Sequence, residues 1–90
     1  MPVHLAPPAA KALARLDRSD RKLAARVRAC LDRIAADPTG PGCSRLTGDM
    51  VGWRIAVGTQ RVLYELGGRG RPIRVTAIAH RHGAYGNGRG

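Results

Sequence analysis

The chain has 90 residues, enough for one domain with a small core, and 43% of them are hydrophobic. Sixteen Lys and Arg against six Asp and Glu give a net charge of +10 at pH 7, which favours nucleic acid or an acidic protein as the partner. No apolar stretch approaches the ~20 residues of a membrane span, and the N-terminus lacks a signal-peptide pattern. We therefore expect a cytoplasmic protein that makes no membrane contact.

The N-terminal residues predict a short strand and a first helix. The sequence "VHL", residues 3–5, suits an edge strand, and the prolines that follow can open a helix but cannot continue a strand ladder. We predict the first helix over residues 8–16. Residues 17–20, which are capping types, are expected to interrupt it.

A second helix is predicted from apolar residues that recur at spacings of four, four and three. These residues are Leu23, Val27, Leu31 and Ile34. Such spacing places them on one buried stripe. The segment "DPTGPG", residues 37–42, then ends the helix, so the two helices are predicted to form an antiparallel hairpin.

The segment "GWRIAVGTQRVLYEL", residues 52–66, predicts a β-hairpin that turns at Gly58-Thr59. Counting outward from the turn pairs Val57 with Gln60, Ile55 with Val62 and Trp53 with Tyr64. Because side chains alternate across a strand, these residues share one face, which we interpret as the core face. A strand-like segment, residues 43–48, leads into this hairpin.

The other face of the hairpin carries two arginines. Ala56 lies opposite Arg61, with Arg54 on the diagonal, so two guanidinium groups can approach one anion. The alternative is that Glu65, diagonal to Arg54, pairs with it and that this face is only solvated.

A third strand is predicted over residues 73–79, after a basic turn at 67–71. The fold class is therefore α+β: two N-terminal antiparallel helices packed on a small, twisted antiparallel β-sheet. We expect a single domain over residues 1–86 and a disordered Gly-rich tail over 87–90. Cys30 and Cys43 match no zinc motif, and nothing in the sequence implies a metal or a cofactor.

The third strand ends in "AHRHGAY", which places His80, Arg81, His82 and Tyr85 at a strand end. If this strand lies beside the hairpin, these groups and the two arginines form the parts of a metal-free RNA-cleaving site. Arginines would stabilise charge on the phosphate, and His80 or His82 would transfer protons. Tyr85 can equally close the end of the sheet.

Three segments of the sequence together resemble one known family. They are "KALARLD", "RLTGDMVGWRIAVGTQRVLYEL" and "IAHRHGAY", and in order and spacing they are similar to the RelE/ParE toxin superfamily, particularly the RelE-like mRNA interferases of type II toxin–antitoxin modules. The resemblance spans residues 3–86. It implies a ribosome-dependent endoribonuclease that cleaves mRNA by attack of the 2′-hydroxyl. It also implies an acidic, RelB-like cognate antitoxin that binds the toxin in a hetero-oligomer.

The resemblance also implies roles for individual residues. Arg54 takes the place of the cation on the strand, Arg61 that of the phosphate-contacting arginine, Arg81 that of the arginine after the last strand, and Tyr85 that of the terminal tyrosine. With His80 these form the predicted catalytic set.

Arg74 and His82 join Arg54 and Arg61 as predicted RNA contacts. Where the best-known members carry a second lysine, this chain has Ala56, so the general base stays unassigned. The alternative function is that of the ParE branch, a non-catalytic inhibitor of DNA gyrase.

Overall fold

The computed structural model describes residues 2–46, 52–68 and 70–81. Seven elements follow in chain order: β1 (Val3–Leu5), α1 (Pro7–Ser19), α2 (Arg21–Ala36), β2 (Cys43–Arg45), β3 (Trp53–Val57), β4 (Gln60–Leu66) and β5 (Ile73–His80). The strands form one five-stranded sheet in the order β1-β5-β4-β3-β2. Both helices pack on the same side of this sheet. No helix in the described part of the chain is long and apolar enough to cross a membrane.

The β3–β4 hairpin has the predicted register. Trp53 pairs with Tyr64, Ile55 with Val62 and Val57 with Gln60, as counted from the sequence. Gly58 has φ of +58°, whereas no non-glycine residue in the described ranges has positive φ. This combination fits the predicted type II′ turn, in which only the first central residue has positive φ.

The N-terminal part differs from the prediction in two respects. β1 pairs in parallel with β5, so the sheet is mixed rather than purely antiparallel. The helix α1 runs from Pro7 to Ser19 and is not interrupted at residue 17; the Asp17 carboxylate caps no helix end and accepts two hydrogen bonds from Arg28 of α2 at 2.7 and 2.6 Å.

The single residue Asp20 separates the two helices and serves both. Its backbone N–H donates to the Leu16 carbonyl, closing the last turn of α1, and its side chain accepts from the Leu23 N–H at 3.2 Å as the N-cap of α2. An Asp N-cap satisfies one of the otherwise unpaired donors of a helix start. The predicted stop of the second helix is confirmed, since Asp37 follows its last residue.

The core lies between the helices and one sheet face. Its fully buried members include Val27 and Ile34 from α2, Val62 and Tyr64 from β4, and Ile73 and Val75 from β5. The Tyr64 hydroxyl donates to the Pro38 carbonyl at 2.6 Å, which satisfies the polar end of this ring. Burial raises the pKa of Tyr64 above its usual value, and the neighbouring Cys43 adds to this effect. Cys30 and Cys43 are both free thiols.

A β-bulge in the last strand changes its alternation. The register shifts between Leu63 and Tyr64, which pair with Ala77 and Val75, so Thr76 is the extra residue on β5. As a result Ile73, Val75 and Ile78 all face the core, although their spacing changes from two to three. Every residue of β5 after the bulge lies on the opposite face from the one that strict alternation would give it.

Candidate nucleic-acid interface

The sheet face turned away from the helices is called here the outer face. Alternation and register assign to it two residues from β3, three from β4 and three from β5. They are Arg54, Ala56, Arg61, Leu63, Glu65, Arg74, Ala77 and Ala79. None of them belongs to the core cluster between the helices and the sheet. Among these described residues are three arginines and one carboxylate, so the outer face is electropositive.

Arg54 and Arg61 lie on this face as predicted, and both are half-buried. Arg61 is paired with Ala56 on one side and with Ala79 on the other, so two small side chains flank it. Its Nε atom is buried and has no hydrogen-bond partner in the described part of the chain. A buried donor without an acceptor costs free energy, which an incoming oxygen ligand can recover.

The floor between the two arginines is apolar. Leu63 is 5% exposed although it lies outside the core cluster, and it is the cross-strand partner of Arg54. Arg54 therefore borders a patch from which water is excluded, and electrostatic interactions of a cation are stronger there than in open solvent.

The other end of the outer face carries a lateral row of charged and polar side chains. Arg74, a predicted RNA contact, is exposed and pairs with Glu65 on β4 and with His4 on β1. The Arg74 guanidinium is therefore attracted by the negative charge of the Glu65 carboxylate on the neighbouring strand. This row is two residue pairs away from Leu63, at the end of the sheet opposite the Gly58-Thr59 turn.

His80 does not lie with the arginines. It pairs with Gln60, and both face α1 rather than the outer face. The physical reason is the bulge at Thr76, which moves His80 to the helix side. The sequence contains a signal for this bulge, namely the change of apolar spacing from two to three between Val75 and Ile78.

Arg81 follows directly after β5 and is exposed. Its backbone N–H donates to the Thr59 carbonyl at 2.8 Å, which fixes it beside the β3–β4 turn. It is two positions beyond Ala79, the partner of Arg61, so the structure brings Arg81 near the end of the outer face that holds Arg61. The predicted residues His82 and Tyr85 lie outside the described residues.

Comparison with solved structures identifies the fold. A YoeB/ParE toxin from Agrobacterium tumefaciens is 20% identical, with a TM-score of 0.79 over 89% of this chain and 98% of that chain. A chain of the heterotetrameric YoeB-YefM toxin–antitoxin complex from Staphylococcus aureus is 15% identical, with a TM-score of 0.74 over 89% and 95%. A chain of the archaeal RelE-RelB complex from Pyrococcus horikoshii is 21% identical, with a TM-score of 0.71 over 99% and 97%.

At the level of sequence, neither a protein-family model nor a curated protein matches the chain significantly. The structural matches cover most of the chain and nearly all of each matched chain. The protein therefore has the fold of the RelE/ParE toxin superfamily.

Proposed function

We propose that this protein is the toxin of a type II toxin–antitoxin module and that it cleaves mRNA on the ribosome, in the cytoplasm. The observation that carries the proposal is the pair Arg54 and Arg61 on the outer face, with Ala56 leaving space beside the Arg61 guanidinium. The unsatisfied Nε of Arg61 supports the same conclusion, because a phosphate oxygen supplies the acceptor that this donor lacks.

The proposed reaction is attack of an RNA 2′-hydroxyl on the adjacent phosphorus, with departure of the 5′-oxygen. Arg54 and Arg61 hold the phosphate and stabilise the negative charge that develops on its oxygens in the transition state. Arg81, fixed beside the turn, adds a third cation at the same end of the sheet. Preorganised charge of this kind contributes most where water is excluded, as it is around Leu63.

Proton transfer must come from other groups, because arginine remains protonated at all physiological pH values. His80 faces α1, so we assign it no part in proton transfer at the outer face. We assign this task to His82, with Tyr85 as the group that orients a base or the leaving oxygen. Glu65 provides a carboxylate on the outer face and is the alternative general base.

We propose an acidic antitoxin as the physiological partner. The net charge of +10 and the electropositive outer face favour a negatively charged segment that covers this surface. The YoeB-YefM and RelE-RelB complexes among the matched structures are toxin–antitoxin assemblies, which supports a hetero-oligomer. Purification from cells that carry the native operon should recover a small acidic protein bound to this chain, and its absence would argue against the toxin.

One experiment separates RNA cleavage from its alternative, inhibition of DNA gyrase. The absence of a lysine at Ala56 and the orientation of His80 favour that alternative, because they leave the described outer face poor in bases. The 5′ ends of cellular RNA are sequenced shortly after the toxin is induced. New 5′ ends within translated codons would establish cleavage, whereas a DNA-damage response with intact mRNA would establish gyrase inhibition.

A further inference from the structure

A second polar site lies on the helix side of the sheet, at the end of the β4–β5 ladder. It is a cleft of about 320 Å³ between the C-terminal half of α1 and the sheet. Its lining combines an apolar wall with four polar side chains. The wall is formed by Ala12, Leu16 and Ile78, and the polar side chains are those of Arg15, Ser19, Gln60 and His80.

The fold assembles these polar groups from two directions. Arg15 and Ser19 are four residues apart, so they lie on the same side of α1. Gln60 and His80 form the last pair of the β4–β5 ladder; alternation along β4 turns Gln60 toward the helix, and the bulge at Thr76 turns His80 the same way. The cleft is therefore a product of the bulge and of the uninterrupted length of α1.

The chemistry of the lining favours an anion. Arg15 offers the N–H donors of a guanidinium, and the Gln60 amide can donate a further hydrogen bond. The Ser19 hydroxyl donates to the Arg15 carbonyl at 3.0 Å, which uses its proton. Among the described residues, no Asp or Glu side chain lines the cleft. A phosphate group, with several acceptor oxygens and a negative charge, fits this donor set.

The cleft adjoins the outer face around the end of the sheet. Gln60 and His80 face the cleft, whereas Arg61, the next residue of β4, faces the opposite side. Arg81 lies between the two sites, held by its hydrogen bond to Thr59. Arg61, Arg81 and Arg15 therefore form a row of cations from one face of the sheet to the other. Similar rows of cations line the grooves that bind the backbone of single-stranded nucleic acids.

We propose that this cleft binds a backbone phosphate of the same RNA strand whose scissile phosphate lies at Arg54 and Arg61. The strand passes around the sheet end beside Arg81, and Arg15 contacts a phosphate a few nucleotides from the cleavage position. This inference rests on the proposed function, since it assigns a second contact to the same substrate. It predicts that affinity depends on RNA length.

The test compares Arg15→Ala with Arg18→Ala in the full chain. Both residues are exposed arginines near the end of α1, but Arg18 does not line the cleft. Binding is measured by fluorescence anisotropy at several salt concentrations. The probes are RNAs of three and eight nucleotides that carry 2′-O-methyl groups and cannot be cleaved.

We expect Arg15→Ala to weaken binding of the eight-nucleotide RNA by roughly fivefold to tenfold, and to lower the slope of log affinity against log salt by about 0.7, the share of one phosphate on a single strand. Binding of the three-nucleotide RNA, which is too short to reach both sites, should change by less than about twofold. Arg18→Ala should change either affinity by less than about twofold, because it removes only long-range charge.

Gln60→Glu is the second variant, since it places a carboxylate in the cleft. We expect it to weaken binding of the long RNA more than Arg15→Ala does. Equal effects of Arg15→Ala and Arg18→Ala, or equal effects of Arg15→Ala on both RNA lengths, would overturn the inference. It would also be overturned if Arg15→Ala weakened binding of a hexaglutamate peptide and left RNA binding intact.

Failure of this inference can be told apart from failure of the proposed function. On ribosomes, cleavage of an mRNA shortened so that it reaches only the outer face should depend on Arg61 and not on Arg15. If Arg61→Ala abolishes that cleavage while Arg15→Ala has no effect on any RNA, the nuclease stands and only the cleft is wrong. If no RNA is cleaved by the wild-type chain on ribosomes, the proposed function fails first.

Discussion

At the residue scale, the side chain at position 56 decides how much space lies beside the Arg61 guanidinium. Ala56 is exposed and is the direct cross-strand partner of Arg61. Directly opposed residues on an antiparallel pair have Cβ atoms only about 4.5–5.5 Å apart. A larger side chain at this position would therefore occupy the volume that we assign to the phosphate.

The small volume of the Ala56 side chain beside Arg61 predicts the effect of Ala56→Leu. The substitution should lower the rate of RNA cleavage by roughly tenfold or more, because misplacement of a bound phosphate by about 1 Å can cost on the order of 100-fold in rate. Stability should change by no more than about 0.5 kcal/mol, since the position is exposed. Cleavage is measured on ribosomes that carry a defined mRNA.

Ala10→Leu is the matched control, because Ala10 is also exposed but lies on α1. It should leave cleavage unchanged. Wild-type cleavage by Ala56→Leu would show that the phosphate does not lie beside Arg61.

At the element scale, the β3–β4 turn was predictable in detail and the β5 strand was not. A leading glycine and alternating apolar residues define the turn and register of a two-residue hairpin, and the structure confirms both. A bulge adds one residue without adding a distinctive residue type, so adjacency of the strands alone did not show on which face His80 lies. The parallel pairing of β1 with β5 could not be predicted either, because the sequence of a three-residue strand does not indicate the direction of its partner strand.

The tight β3–β4 turn carries a stability prediction. Gly58 has positive φ, and a Cβ at this position would lie 3.2 Å from both Arg26 Nη1 and Leu23 Cδ1 of α2. Gly58→Ala should therefore lower the free energy of unfolding by about 1–2 kcal/mol, from backbone strain and from displacement of these side chains. Denaturant titration measures the change.

Gly68→Ala is the control for this prediction. Gly68 also has positive φ, at +84°, but a Cβ there would meet no atom of the described residues within 4 Å. It should therefore cost less than Gly58→Ala, since only the backbone term remains. Equal losses would show that the contact of α2 with the turn adds nothing to stability.

At the scale of the whole molecule, one buried ring joins the sheet to the segment that follows α2. Tyr64 is 1% exposed, and its hydroxyl donates to the Pro38 carbonyl. Burial raises the pKa of this hydroxyl above its usual value of about 10. The native state thus holds the tyrosine proton more tightly than the unfolded state does.

The sign of the resulting pH dependence follows from linkage. A group with a raised pKa in the folded state contributes stability that is complete below its unfolded pKa and is lost as the pH rises above it. The free energy of unfolding should therefore fall above about pH 10, with a contribution from Tyr64 of at most about 1.4 kcal/mol per pH unit.

Tyr64→Phe tests this assignment. It should cost about 1–3 kcal/mol at neutral pH, because the Pro38 carbonyl loses its donor. It should also show a shallower decline in stability between pH 10 and pH 11.5 than the wild type, since phenylalanine does not ionise. Parallel declines in the two proteins would assign the alkaline loss to other groups.

The net charge of the molecule could be predicted from the sequence, and so could the face of the sheet on which Arg54 and Arg61 lie. Composition alone gives the net charge, and the hairpin register gives the face. The cleft lined by Arg15 could not be predicted, because it depends on how the C-terminal half of α1 packs on the end of the β4–β5 ladder. Such contacts between distant segments leave no periodic signal in the sequence.

The central claim is that the outer face holds the scissile phosphate, and a comparison of two arginines tests it most directly. Arg61 is half-buried in the sheet and flanked by small residues, whereas Arg71 is exposed in the turn before β5. Cleavage of a defined mRNA on ribosomes is measured for Arg61→Ala and Arg71→Ala, after circular dichroism confirms that both are folded.

Arg61→Ala should lose roughly 100-fold or more in cleavage rate, the scale of deleting one preorganised charge stabiliser. Arg71→Ala should mainly weaken the salt-dependent part of RNA binding, so its loss of affinity should be largest at low salt. Small and equal losses in the two variants would contradict the placement of the scissile phosphate on the outer face, because they would show that Arg61 acts only as one of many surface charges.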